Sequence, residues 1–336
     1  MKQVSIVVPA HNAEETIAGC LKTIRQSEFS DYELIVVDDG SKDATGAISK
    51  EYADKVISLD RNLGLPRARR AGIEAAGAEI IVNIDSDILI KPDTIAKVVG
   101  YLSSHQEIDA LTGLLARDCP HKSFLGQYKN LYMNYNFKRL PESVSFLYGS
   151  IYAIRSKISK LYNSQSSLSE DIEFGQRLIS LNKKIAFLKD IEVIHLKEYS
   201  PILFIKNDFL VPFSWVRIFL KFKGWKQLFR NKTGFTHISK EQLASVILAP
   251  LIFLLGLGIL LAGYDFFAFV LLLSLSWVLF NIGFLRFLVK EKGIFFGIFS
   301  FFVIFFDNIL MASGIICGFI SLFIDKINSL SMRKKS

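Results

Sequence analysis

Charge is nearly missing from one long stretch of this 336-residue chain, residues 243 to 324, where Phe, Leu and Ile dominate. That excludes a wholly soluble protein and marks part of the chain for the membrane. Cysteine is scarce too. Cys20, Cys119 and Cys317 are scattered without a C-x-x-C pair, which argues against a zinc site or a disulfide framework and suits a reducing cytosol. Acidic residues are absent from Phe209 to Lys240, where seven Lys or Arg alternate with Trp215, Phe219, Phe222, Trp225 and Phe229. A nucleic-acid groove could share that composition, as could the formal net charge of +8. No RNA-binding signature accompanies it, and its position just before the apolar blocks points to the anionic cytoplasmic leaflet instead. Nucleic acid is therefore not an expected partner. The apolar run after Met1 is too short for a signal peptide, so a soluble domain is expected to start at once, inside the cell.

What is present alternates in period. VSIVV (residues 4 to 8) reads as a buried strand stopped by Pro9, and Asn12 with Glu14 and Glu15 can start a helix reaching about Gln26. ELIVV (33 to 37) is a second strand, followed by a helix from Asp43 to Tyr52. A short strand at Lys55 to Ser58 and a helix from Pro66 to Ala76 lead to IIVNIDSDI, residues 80 to 88. Four strands alternating with helices predict an α/β domain with a doubly wound, mostly parallel sheet. Further on, Pro92 to His105 reads as a helix and Asp109 to Leu115 as a strand. Residues 119 to 147 are irregular and rich in Tyr and Phe. IYAIR is a strand, EDIEFGQRLISL is a helix with Ser169 as N-cap, and Glu192 to His195 is a last strand.

The apolar blocks are Leu243 to Gly263, Phe266 to Val289 and Ile294 to Ile324. The first two have spanning length and form a hairpin, and the basic loop after them should be cytoplasmic. The third is about 46 Å long as a helix, too long for one perpendicular span. Asp307 and Asn308 are expected to interrupt it, with an interfacial or tilted entry before them and a third span after. A re-entrant block, keeping the basic tail inside, is the alternative. The expected organisation is a cytoplasmic catalytic domain (1–200), amphipathic basic interface helices (201–241), a transmembrane region (242–325) and a basic tail (326–336), in a cell inner membrane.

Parallel α/β sheets bind ligands at the carboxyl ends of their strands. Asp38 and Asp39 lie at one such end, and Asp85, Ser86 and Asp87 at another. Two carboxylates one residue apart can share a hard divalent cation and the phosphates it carries, although an isolated Asp-x-Asp more often merely ends a strand.

Five stretches in order, VPAHNAEE, VVDDGSKD, NLGLPRARRAG, NIDSDI and SEDIEFGQRL, make the first 200 residues resemble the family-2 glycosyltransferases of GT-A fold. The membrane-attached carboxyl half resembles, more loosely, the members that act on lipid-linked acceptors. The resemblance implies an inverting transfer of a sugar from a nucleotide-diphosphate donor. It would place Pro9, His11, Asn12, Glu14, Asp38 and Asp39 around the base and ribose. Arg69 and Arg70 would stand near the diphosphate, Arg70 replacing the family's Asn and Arg67 remaining on a solvated face. Asp87 would ligate Mg2+ or Mn2+, with Asp85 on the ribose or the metal's waters, and His195 would lie near the metal or else be a plain strand-end histidine. Gly149 and Ser150 match a small-residue turn near the donor sugar. Asp171 matches the general base, oriented by Glu170.

A phosphate acceptor needs no general base, so Asp171 favours a hydroxyl on a lipid or lipid-linked sugar. The alternatives are a polyprenyl-phosphate glycosyltransferase and a catalytically silent nucleotide-sugar-binding membrane protein. The Gln-x-x-Arg-Trp motif of processive synthases is absent, and the spans are few, so a single transfer is expected.

Overall fold

The computed structural model describes residues 2–163, 165, 168–224, 236, 238–262 and 267–333. The chain divides into two compact units, residues 1–198 with 227–237 and residues 199–226 with 238–336.

The first unit is built on an eight-stranded sheet in the order β3-β2-β1-β4-β7-β6-β8-β5. Its strands are β1 (Val4–Ala10), β2 (Tyr32–Asp38), β3 (Lys55–Ser58), β4 (Ile80–Ile84), β5 (Ile88–Leu89), β6 (Ala110–Leu115), β7 (Ile151–Arg155) and β8 (Ile185–His195). Strands β3, β2, β1 and β4 run parallel, as do β6 and β8. Strand β7 runs antiparallel between β4 and β6. The sheet is mostly parallel, as the alternation of strands and helices predicts. The β-branched runs are buried on both faces, as central parallel strands require. One face packs Val82, Ile84, Ile151 and Ala153 against the apolar sides of α1 (Ile17–Arg25) and α4 (Thr94–Ser104). The remaining helices of this unit are α2 (Thr45–Tyr52), α3 (Leu65–Ala75), α5 (Phe124–Lys138) and α6 (Glu170–Ser180).

Three local expectations change. Helix α1 starts only at Ile17, because Asn12 takes a positive φ of 47° and the following residues are tied to the 41–45 loop. Residues 124–138 form the 15-residue helix α5, capped by the Ser123 hydroxyl accepting from the Gly126 N–H. Its buried Asn130 and Asn134 bond backbone carbonyls of residues 115–117, so its inner face is polar and breaks the apolar period. Ser169 adopts a left-handed conformation (φ 55°) and its side chain makes no capping bond to α6.

The second unit contains α7 (Pro201–Lys221), α8 (Lys240–Ala262), α9 (Phe267–Lys292) and α10 (Ile294–Arg333). The last three are long and apolar enough to cross a membrane. Helices α8 and α9 form the expected hairpin, joined by the Asn281 amide donating to Ser245 Oγ at 2.9 Å. Asp307 and Asn308 do not interrupt the third block. Both are buried, and α10 runs unbroken for 40 residues, about 60 Å. Packing side chains into neighbouring helices, rather than facing them to lipid, removes the reason for a break. Helix α7 lies along α10 in parallel, because Gly314 and Gly318, four residues apart, let the carbonyls of Phe209 and Phe213 approach its backbone. Arg217 closes the far end on Asp325 at 2.6 Å. The rest of the expected interface region, residues 225–235 and 237, lies outside the described residues.

Candidate active site

Strand β4 ends at Ile84, so Asp85, Ser86 and Asp87 form a turn rather than extended chain. The turn is clasped from both sides. The Asp85 N–H donates to Ser150 O at the start of β7, and the Leu196 N–H donates to Asp87 O at the end of β8. Inside, the Cys20 thiol of α1 donates to Asp85 O at 3.5 Å, and burial pushes that thiol's pKa far up. The two carboxylates therefore take different partners. Asp87 Oδ2 faces His195 Nε2 at 3.5 Å, while its buried Oδ1 has no partner. Burial pushes the His195 imidazole's pKa down, against the pull of Asp87, which keeps a ring nitrogen available as a ligand. Ser86 is half-buried between them.

Asp85 instead meets Arg69, which donates through Nη2 to Asp85 Oδ1 at 2.6 Å and to Gly149 O at 3.3 Å, and through Nη1 to Glu170. The guanidinium is fully buried, with its carbon 5.6 Å from the centre of the Tyr152 ring. Helix α3 carries it there because Gly72, one turn on, lies against Val7 of β1 with no room for a Cβ. Both terminal nitrogens of Arg69 are thus taken by carboxylates rather than offered to phosphate. Arg70 turns to Glu74 at 2.5 Å and to the carbonyl of Tyr162 at 2.7 Å, and Arg67 is exposed.

Glu170 and Asp171 open α6. Asp171 Oδ2 accepts the Gly149 N–H at 2.8 Å, and Oδ1 accepts its own helix's Ile172 N–H at 2.8 Å. Burial, then the charge of Glu170, pushes the Asp171 carboxyl up to about 6, against Arg69 and the two amides. Burial likewise carries Asp85 up to about 7, against the pull of Arg69 and with the charges of Asp87, Glu170 and Asp171 adding to the rise. Strand β7 makes this possible: entering antiparallel beside β4, it delivers Gly149 and Ser150 to the mouth where β4 ends. A Cβ at Gly149 would stand 3.0 Å from Asp171 Oδ2, so a side chain there would push the carboxylate aside.

A second group surrounds the ends of β1 and β2, where Pro9 and Ala10 pair with Val37 and Asp38. His11 Nδ1–H donates to Asp39 O at 2.8 Å. Asn12 Oδ1 accepts the Lys42 N–H, and Glu14 Oε2 accepts the Ala44 N–H. Asp38 accepts the Ser41 N–H, whereas both oxygens of Asp39 are taken by the N–H groups of Leu63 and Gly64 ahead of α3. Gly40, at φ 65°, turns this loop where a Cβ would overlap the backbone of Arg61 and Asn62. The loop chemistry also uses Ser41, Asp43 and Thr45, which bond the amides of residues 12 to 14; their spacing from the first loop gives no sequence signal.

Among the described residues no three His, Cys, Asp or Glu side chains stand close enough to hold a metal by themselves. Asp87 and His195 offer a free carboxylate oxygen and an imidazole. This two-ligand set fits a divalent ion whose remaining ligands come from a phosphate-bearing substrate or water.

Residues 5–162 match the model of glycosyl transferase family 2. The chain is 44% identical over 95 residues to the putative glycosyltransferase EpsH of Bacillus subtilis, covering 27% of each. It is 33% identical over 120 residues to the dodecaprenyl-phosphate galacturonate synthase of Rhizobium johnstonii, covering 33% of this chain and 35% of that one. These matches span only about a quarter to a third of the relatives' lengths. Among solved structures, a mannosyltransferase from Pyrobaculum calidifontis, in complex with GDP-Man and Mn2+, superposes with a TM-score of 0.65 at 15% identity. That likeness covers 94% of this chain and 87% of that one, and it speaks to the fold. Residues 5–162 are thus similar to glycosyl transferase family 2, and the fold is of GT-A type.

Proposed function

We propose that the protein transfers one sugar, with inversion, from a nucleotide-diphosphate sugar to a hydroxyl of a lipid or lipid-linked acceptor. The observation that carries this reading is Asp171: a half-buried carboxylate held by the Gly149 amide, with its pKa raised to about 6. Such a group is ionised at neutral pH yet basic enough to take a proton. The acceptor oxygen attacks the anomeric carbon, Asp171 accepts the hydroxyl proton, and the nucleoside diphosphate leaves from the opposite face with the bonding electrons. Glu170, pinned by Arg69, raises the basicity of Asp171 by its charge. The loops carrying His11, Asn12 and Asp38 frame a polar slot for the nucleoside. Asp87 and His195 would hold Mg2+ or Mn2+, which when bound supplies positive charge to the departing diphosphate. Helices α8 to α10 would anchor the chain, with Arg286, Lys290 and Lys292 marking the cytoplasmic side on which the catalytic unit lies.

A phosphate acceptor is the second reading, favoured by the name of the Rhizobium relative. Asp171→Asn separates the two. The variant is expected to keep Mn2+-dependent thermal stabilisation by nucleoside diphosphates and to lose about 10²–10⁴ in transfer rate. A fully active variant would rule out the hydroxyl acceptor, and wild-type protein that neither binds nor turns over any nucleotide sugar would end the enzyme reading.

A further inference from the structure

Behind the Arg69 fork lies a set of buried polar atoms that the transfer chemistry does not use. Asn83, in β4, is fully buried, and neither its Oδ1 nor its Nδ2 has a hydrogen-bond partner. It sits opposite Tyr152 in the β4–β7 ladder and beside Val7 in the β1–β4 ladder, so these three side chains share the face that α3 covers. The Tyr152 hydroxyl is also buried and unpartnered; the Tyr162 hydroxyl and Arg69 Nε are buried without a hydrogen bond of ordinary geometry, although the Tyr162 hydroxyl lies within reach of the Arg69 guanidinium. The Tyr152 ring lies against the guanidinium. Tyr162 is held against α3 by the Arg70 bond to its carbonyl, and both tyrosine rings meet the edge of Phe174, with centroids 6.4 Å and 5.2 Å away.

Leaving the Asn83 amide and the Tyr152 hydroxyl without partners would cost several kcal/mol, and native proteins leave very few such atoms. Their chemistry is complementary. Arg69 Nε and Asn83 Nδ2 donate only, Asn83 Oδ1 accepts only, and the two hydroxyls do both. Such a set is satisfied by water, which donates twice and accepts twice.

We propose that Asn83, Tyr152, Tyr162 and Arg69 Nε enclose one or more structural water molecules, and that through them Asn83 and the two tyrosines act as positioning residues for the Arg69 fork. The water site itself stands apart from the proposed transfer; the positioning role rests on it. Held through Nε and by the Tyr152 face, the guanidinium keeps one orientation, and that orientation fixes Asp85 and Glu170 relative to Gly149.

Two measurements on the full-length protein in detergent need no substrate. Hydroxyl radicals generated by X-rays should oxidise Tyr152 and Tyr162 in spite of their burial, because radicals form from enclosed water. Tyr152→Phe and Tyr162→Phe should each lower the unfolding midpoint. Unlabelled tyrosines together with an unchanged or raised midpoint would overturn the water site, because deleting a truly orphaned hydroxyl stabilises. For the positioning role, both variants should lower kcat for nucleotide-sugar turnover about tenfold with donor KM within about twofold, as loss of an interaction made in the transition state requires. The control is Tyr32→Phe, which loses the hydroxyl bond to Ile24 O far from the site and should keep kcat. Unchanged kcat in both phenylalanine variants would overturn the positioning role. A wild-type protein without turnover would defeat the transfer reading alone, since labelling and stability are read without substrate.

Discussion

The backbone N–H of Gly149 donates to Oδ2 of Asp171 across 22 residues of sequence, at 2.8 Å. An added Cβ would press on that oxygen at 3.0 Å and reach 3.7 Å from Arg69 Nη2. Gly149→Ala should therefore displace the carboxylate by a few tenths of an ångström. Turnover is expected to fall about tenfold to a hundredfold, with a stability change below about 1 kcal/mol. Steady-state kinetics beside a denaturant melt checks this; equal turnover would show that the Asp171 position is not critical.

Arg69 neutralises two carboxylates at once. Its replacement by Met leaves Asp85 and Glu170 facing each other without a counter-charge in a largely buried setting. A loss of about 3–5 kcal/mol in unfolding free energy is expected. Arg69→Lys should recover part of the stability and little of the activity, because an ammonium cannot span both acids as a fork does. Loss of donor binding without loss of stability would instead assign Arg69 to phosphate.

Asp171 must be ionised to act as a base, so transfer should rise as pH passes through about 6 and level off above about 7. Stability runs the other way. The folded pKa lies above the unfolded value, so the group's contribution is fully present below about pH 4 and is lost as pH rises through about 6. Asp171→Asn, inactive for a hydroxyl acceptor, should therefore melt higher than wild type at pH 8, by on the order of 1 kcal/mol, and gain less at pH 5. A pH-independent difference would remove the ionisation argument.

In the second unit, Gly314 has the carbonyl of Phe209 where a Cβ would go, while Gly256 on α8 has open space. Gly314→Ala should cost about 1–3 kcal/mol by forcing α7 away from α10. Gly256→Ala should be neutral or slightly stabilising. Melting of both variants in the same detergent compares them directly, and equal midpoints would show that the α7–α10 crossing tolerates a methyl group.

Much of this was legible in the residues. The β-branched runs at 4–8, 33–37 and 80–84 became β1, β2 and β4 because central strands have no polar face to confuse the period. The apolar blocks became α8 to α10 because bilayer length leaves few alternatives. Helix α5 was illegible for the opposite reason: Asn130 and Asn134 on its inner face bond carbonyls that come near only after folding.

The sequence by itself determined where the acids stand: at the ends of β2 and β4 and in the first turn of α6, since strand ends and helix starts are local properties. Only the tertiary structure decided their partners. Arg69 goes to Asp85 and Glu170 rather than outward, and Asp87 turns to His195. Gly149 reaches Asp171 because β7 enters the sheet antiparallel beside β4. Those pairings join residues 16 to 108 positions apart and depend on which strand lies beside which. No local period encodes that order; it follows from burying the most apolar surface with every enclosed charge matched.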